Sequence, residues 1–151
     1  MQASEEFFSG SRYAIFGATA RGRIHGSVLI PALRKAGKQA VAIEAGGGAV
    51  KRAETVASLE AAGPVDGAVL LPPAPWDAQA EAFTEDAVRQ CKERGVERVW
   101  IYTAGDAAPA AAIATRQGID ACAGACPCLY IEGGGFPHGT HRWLLKLVHK
   151  L

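Results

Sequence analysis

Short runs rich in β-branched residues alternate with longer alanine-rich stretches along most of the chain. That alternation dictates an α/β architecture, a parallel sheet whose strands are joined by crossover helices. It predicts strands at 13–16, 40–44, 67–71, 98–102 and 119–123, each ending in glycine, proline or small polar residues. Helices are expected at 27–36, with Val28, Leu29, Ala32 and Leu33 on one face, and at 78–94, with Ala82, Phe83, Ala87, Val88 and Cys91. Gly37 and Gly95 stop them, and a third helix at 107–117 is stopped by Gly118. Between the second and third strands "AVKRAETVASLEAAGPVDG" is weakly periodic, with a short helix expected at 58–62. After the fifth strand a Gly/Pro-rich loop leads to "THRWLLKLVHKL", an amphipathic C-terminal helix with Trp143, Leu144, Leu147, Val148 and Leu151 on its apolar side. Such a helix covers its own domain or pairs two subunits, so a homodimer stays open.

With 151 residues, 49% of them hydrophobic, the chain matches one ordinary domain with a real core. Sixteen Lys+Arg against fifteen Asp+Glu leave no basic block dense enough to track a nucleic-acid backbone, so no nucleic-acid partner is expected. No stretch approaches the ~18 unbroken apolar residues that span a bilayer, and "MQASEEFFSG" is acidic where a signal peptide is basic and then apolar. The expected compartment is the cytoplasm, with the four cysteines at 91, 122, 126 and 128 reduced.

The stretch "YAIFGATARGRIHGS" runs from the first strand through a glycine turn into a helix. Free backbone N–H groups and a positive helix end then lie beside the strand's carboxyl edge, where an anion fits. The spacing Gly17, Gly22, Gly26 is neither G-x-G-x-x-G nor a P-loop, because Arg23 and Ile24 stand where Lys and Ser/Thr are needed. Arg21 and Arg23 add guanidinium forks suited to phosphate oxygens. The competing reading is a tight turn with two arginines in solvent. Further on, "GAVLLPPAPWD" places Pro72, Pro73 and Pro75 directly after an apolar strand. Prolines lack N–H donors and force extended backbone, which makes a stiff apolar wall for a long thin ligand arm, or else simply stops the strand and presets the next helix.

Taken together these segments resemble the CoA-binding domain family, small stand-alone CoA-binding proteins and the CoA-binding domain of the succinyl-CoA synthetase α subunit. The likeness runs from about residue 13 to about residue 131. It rests on "GATARGRIHGS", on "VASLEAAGPVDGAVLLPPAP", on "VWIYTAGD" and on the Cys-Pro of "ACPCLYI". The resemblance implies a Rossmann-like doubly wound parallel sheet in one domain over 1–151, with its core at about 12–131 and a C-terminal loop and helix at 132–151. It implies that Gly17, Ala18, Thr19, Arg21, Gly22 and Arg23 form the phosphate loop, with His25 donating a hydrogen bond there. Leu71, Pro72 and Pro73 would line the pantetheine arm of coenzyme A or an acyl-CoA, and Cys126 would lie near the end of that arm.

One segment departs from the family. Where an Asn-Pro, often followed by Lys, is usual after the second strand, this chain has "EAGGG", and Lys51 or Arg52 stands several residues away. Glu44, closing that strand, is the residue type that holds a ribose 2′-OH in nicotinamide dinucleotide sites, and it disfavours a phosphate nearby. It keeps a small NAD(P)-dependent oxidoreductase as an alternative, and the lost Asn-Pro keeps an interaction module with a degenerate site as another.

Chemistry beyond binding finds little support. Cys122, Cys126 and Cys128 lie close together before His138 and His141, but C-x3-C-x-C lacks the paired spacing of structural zinc, and no metal is expected. Cys126 could form a mixed disulfide with CoA if its pKa is lowered, or could simply pack a turn. There is no G-x-S-x-G and no defensible Ser/His/Asp order, so no catalytic residues are expected.

Overall fold

The computed structural model describes residues 6–19 and 24–131, with the backbone alone at residues 24 and 25. The described residues contain six strands in one parallel sheet: β1 Arg12–Phe16, β2 Gln39–Ile43, β3 Glu54–Val56, β4 Gly67–Leu70, β5 Val99–Ile101 and β6 Ala121–Ala123. Their order is β3-β2-β1-β4-β5-β6, and every adjacent pair is parallel. The helices are α1 Ile24–Lys35, α2 Leu59–Ala62, α3 Ala78–Glu93 and α4 Ala108–Arg116, with short 3-10 turns at Phe7–Ser9 and Pro127–Tyr130.

The central strands read as near-continuous apolar runs because both faces are covered. On one face Ala14, Phe16, Leu70 and Ile101 pack against Ala87, Val88 and Cys91 of α3 and Ala110, Ile113 and Ala114 of α4. On the other, Tyr13, Ile15, Val69 and Trp100 meet Leu29, Ile30 and Leu33 of α1 together with Phe7, Phe8, Cys128 and Ile131. Period-two alternation along each strand assigns neighbours to opposite layers. The result is the parallel sheet that the alternating sequence predicts, in the doubly wound, Rossmann-like form that the family resemblance implies.

Five of the strands fall where the sequence places them. β3 is additional: it pairs with β2 at the sheet edge, and its three residues are only partly covered. The short helix at 58–62 is present as α2, with Ser58 as its N-cap, Oγ accepting from the Ala61 N–H at 3.2 Å. Along α3 the buried face is Ala80, Thr84, Ala87, Val88 and Cys91, so Ala82, expected on the apolar side, is exposed. Thr84 stays inside because its hydroxyl donates to the Ala80 carbonyl at 2.8 Å, which satisfies its polar atom within the helix. The C-terminal amphipathic helix expected at 140–151 lies outside the described residues.

The two strands that carry the site are clamped together at their amino ends. Asp66, just before β4, accepts from the backbone N–H groups of Ser11 at 2.7 Å and Arg12 at 2.9 Å, at the start of β1.

Candidate ligand site at the carboxyl edge of the sheet

The chain winds from β1 outward to β3 and then returns to the other side of β1 as β4. The strand order reverses between β1 and β4, and in open parallel sheets this is the place where loops leaving the carboxyl ends diverge and ligands bind. Two sequence motifs meet at this place. The glycine turn follows β1 and the proline segment follows β4, and the N–H of Leu71 donates to the Phe16 carbonyl at 3.0 Å, one residue before Gly17. Next along the edge, the Tyr102 N–H donates to the Leu70 carbonyl at 3.0 Å.

Gly17 leaves β1 at φ +82°, a conformation that costs a residue with a Cβ about 1–2 kcal/mol and that starts the turn toward α1. Gly26, in the first turn of α1, lets the helix press on that loop: a Cβ there would lie 2.6 Å from the Ala18 carbonyl oxygen and 2.9 Å from its Cα. Helix and turn thus touch backbone to backbone, the close approach expected of a cradle for an anion. Thr19 is exposed, and its N–H donates to Glu44 Oε1 at 3.1 Å. A carboxylate already occupies one donor of the turn. Arg21, Gly22, Arg23 and the His25 side chain lie outside the described residues.

After β2, Glu44 donates its own N–H to the Val56 carbonyl at 2.8 Å, and its carbonyl accepts from Gly47 at 3.0 Å, closing the turn that begins "EAGGG". Gly46, Gly47 and Gly48 are exposed, with Gly47 at φ +77°. Lys51 and Arg52 are exposed in the turn before β3, and the Arg52 carbonyl accepts from Arg34 Nη1 at 2.6 Å. After β4, Leu71 is 0% exposed and belongs to the core beside α1, and Pro72 is buried. Pro73 is half-buried, so it presents more surface than the two residues before it.

Beyond β6 the chain turns through Gly124 at φ +93° into Cys126, Pro127 and Cys128. Trp100 of β5 ties this loop down, Nε1 donating to the Ala125 carbonyl at 2.9 Å, and the Pro127–Tyr130 turn packs on α1. Cys126 is partly exposed and Cys128 is buried. A hydrogen bond from the Cys128 thiol, opposed by burial and aided by the N–H groups of Cys128 and Leu129, pulls the Cys126 thiol down to about 7. The other thiols go the opposite way: burial pushes Cys91 up to about 12, and burial with the Asp120 charge raises Cys122. Sequence spacing alone shows two cysteines either side of a proline, and only the turn shows that one supports the other.

A cleft of about 350 Å³ is lined by Ser58, Glu60, Arg89, Gln90, Glu93 and Arg94. Residues 89–94 end the helix that returns the chain to the amino edge of the sheet, so this cleft is remote from the glycine turn. Arg89 there is already paired with Asp86 and, at 2.9 Å, with Glu93. Among the described residues no group of three His, Cys, Asp or Glu side chains is placed to hold a metal ion, and no helix is long and apolar enough to cross a membrane.

Solved structures of similar shape exist at low sequence identity. A conserved hypothetical protein from Pyrococcus furiosus superposes with a TM-score of 0.59 at 16% identity, over 78% of this chain and 96% of that one. Prb, described as the PH1109 protein redesigned for binding, superposes with a TM-score of 0.64 at 16% identity, over 91% of this chain and 94% of that one. A hypothetical protein from Pyrococcus horikoshii OT3 gives 0.60 at 16% identity, over 83% of this chain and 84% of that one. These likenesses establish the fold. No curated protein matches the chain. The model of the CoA binding domain matches residues 11–132, from the start of β1 through the Pro127–Tyr130 turn, and on that match the chain belongs to the CoA-binding domain family.

Proposed function

We propose that this protein binds coenzyme A or an acyl-CoA across the carboxyl edge of its sheet and catalyses no reaction of its own. The observation that carries the reading is the juxtaposition of the glycine turn and the proline segment at the reversal point, joined by the Leu71 N–H to Phe16 carbonyl bond. In this reading the pyrophosphate sits on the turn of Gly17, Ala18 and Thr19, with Arg21, Gly22, Arg23 and His25 completing the loop. The backbone N–H groups there supply donors, that of Thr19 in exchange for its bond to Glu44, and the guanidinium groups add charge-assisted bonds of ~1.5–3 kcal/mol each. The pantetheine arm runs past Pro73 toward Tyr102 and Cys126. Free cysteines fit a reducing compartment such as the cytoplasm.

A second reading has one specific observation in its favour. Glu44 already reaches the turn, and a carboxylate in that position suits a ribose with free hydroxyls better than one bearing a phosphate. Titration calorimetry of the reduced protein with CoA, acetyl-CoA, NAD⁺ and NADPH separates the two. Saturable binding of the CoA ligands alone supports the first reading. Binding of NAD⁺ alone supports the second, and no heat from any of them overturns both.

A further inference from the structure

The ends of β1 and β2 lie side by side, because Phe16 pairs with Ile43 in the sheet register. Glu44 follows at once, half-buried, with its backbone held twice: its N–H donates to the Val56 carbonyl at 2.8 Å, and its carbonyl accepts from Gly47 at 3.0 Å. From that fixed base Oε1 reaches across to the Thr19 N–H at 3.1 Å, so the carboxylate stands on the turn after β1. A carboxylate accepts several hydrogen bonds, and the one from Thr19 leaves capacity for a hydroxyl. The chain beside it offers space: a Cβ added at Gly46, Gly47 or Gly48 would meet nothing within 4 Å.

Of the loops leaving the carboxyl ends of the strands, only that after β2 contains a described Lys or Arg, at Lys51 and Arg52. Both precede β3, whose first residue, Glu54, pairs with Val41, three residues before Glu44. The rise of a strand therefore sets their backbone about 10 Å below the carboxyl edge or farther. Arg34, in the last turn of α1, donates to the Arg52 carbonyl at 2.6 Å and holds it there. The other helices carry their terminal cations, such as Lys92 and Arg116, back to the amino edge. Charges that far apart through solvent are largely screened at physiological salt.

We propose that Glu44 selects a CoA-type ligand whose adenosine ribose carries no phosphate, so that dephospho-CoA, and not CoA itself, is the preferred occupant. The inference rests on the reading above, in which a CoA-type ligand lays its pyrophosphate on the β1 turn. Pantetheine then leaves toward β4. The adenosine ribose, on the far side of the pyrophosphate, falls toward the end of β2, where open parallel sheets place ribose-holding carboxylates. A free 2′,3′-diol donates to Glu44. CoA instead brings a 3′-phosphate, which accepts rather than donates and is repelled by the carboxylate, and Arg21 and Arg23 are already engaged by the pyrophosphate. Repulsion worth about fivefold and a lost hydroxyl bond worth about twofold, after its exchange with water, give a preference of about tenfold.

Titration calorimetry of the reduced full chain with dephospho-CoA and with CoA tests the selection. Dephospho-CoA is expected to bind about tenfold tighter, by a margin that narrows as salt is raised. In Glu44→Gln the two should bind alike, CoA tightening about fivefold and dephospho-CoA weakening about twofold. Saturable CoA binding as tight as that of dephospho-CoA, or tighter, in the wild type would overturn the selection and leave the CoA reading in place. A wild-type preference that survives unchanged in Glu44→Gln would take the role away from Glu44. Saturable binding of neither ligand would remove the CoA reading and the selection together.

Discussion

The backbone N–H of Thr19 and the carboxylate of Glu44 meet at 3.1 Å, joining the loop after β1 to the loop after β2. A donor that would otherwise serve a bound anion is taken by a fixed negative charge. Ligand choice at this site is therefore a contest between the donors of the turn and one carboxylate.

Glu44→Gln keeps an acceptor for the Thr19 N–H while removing the charge. A phosphate within several ångströms then gains about 1 kcal/mol, so CoA should bind about fivefold tighter. NAD⁺, which would use the carboxylate as a ribose acceptor, should weaken. Calorimetry on the variant reads both, and weaker CoA binding would reverse the role given to Glu44.

Arg21 and Arg23 carry the positive charge of the proposed phosphate loop. Replacing both with Ala removes two charge-assisted contacts worth ~1.5–3 kcal/mol each, which should lower CoA affinity by two orders of magnitude or more. The salt dependence of binding should flatten in the same variant. Unchanged affinity would place the phosphates elsewhere.

Gly26→Ala sets two effects against each other. Alanine in a helix is favoured over glycine by about 1 kcal/mol. Its Cβ, however, would stand 2.6 Å from the Ala18 carbonyl oxygen, where backbone rather than a flexible side chain must give way, and such overpacking costs about 1–3 kcal/mol. The clash should win: denaturant melts should show net destabilisation, and CoA affinity should fall because the turn itself has moved.

Asp66 gives the fold an acid-sensitive clamp. The N–H groups of Arg12 and Ser11 hold its carboxyl below the ordinary range, against a smaller opposing effect of burial. A carboxylate whose folded pKa is depressed contributes stability at pH values above its unfolded pKa and loses it as pH falls through the folded one. Its contribution is thus present from about pH 4 upward and disappears in stronger acid. Asp66 is exposed, so solvent screening limits the effect to about 1 kcal/mol. Asp66→Asn should be less stable than the wild type at pH 7 by that amount, with the difference vanishing in strong acid; an unchanged gap at low pH would assign the clamp to hydrogen bonding without charge.

Much of this arrangement was legible in the sequence. The alternation of apolar runs and alanine-rich stretches located five strands, and glycine stops located the ends of three helices, because a doubly covered parallel sheet needs continuous apolar segments and helices need capping. Glu54–Val56 escaped because an edge strand of three partly exposed residues has no apolar run to betray it. Phe7 and Phe8 escaped for a related reason: a three-residue turn has no periodicity, yet both rings are buried against Tyr13 and Trp100. At the site, the glycine turn and proline segment could each be seen, but their adjacency is a product of strand order. The bond between Thr19 and Glu44 spans 25 residues and depends on the register of β1 with β2, which no local pattern encodes.

The central claim is that CoA lies on the β1 turn and runs along the crevice between β1 and β4. Backbone amide NMR of the reduced, ¹⁵N-labelled protein, titrated with CoA, tests it most directly. The account predicts saturable shifts concentrated at Gly17, Ala18 and Thr19, at Leu71 and around Cys126. Saturable shifts confined to the cleft of Ser58, Arg89 and Arg94, with the β1 turn silent, would contradict it.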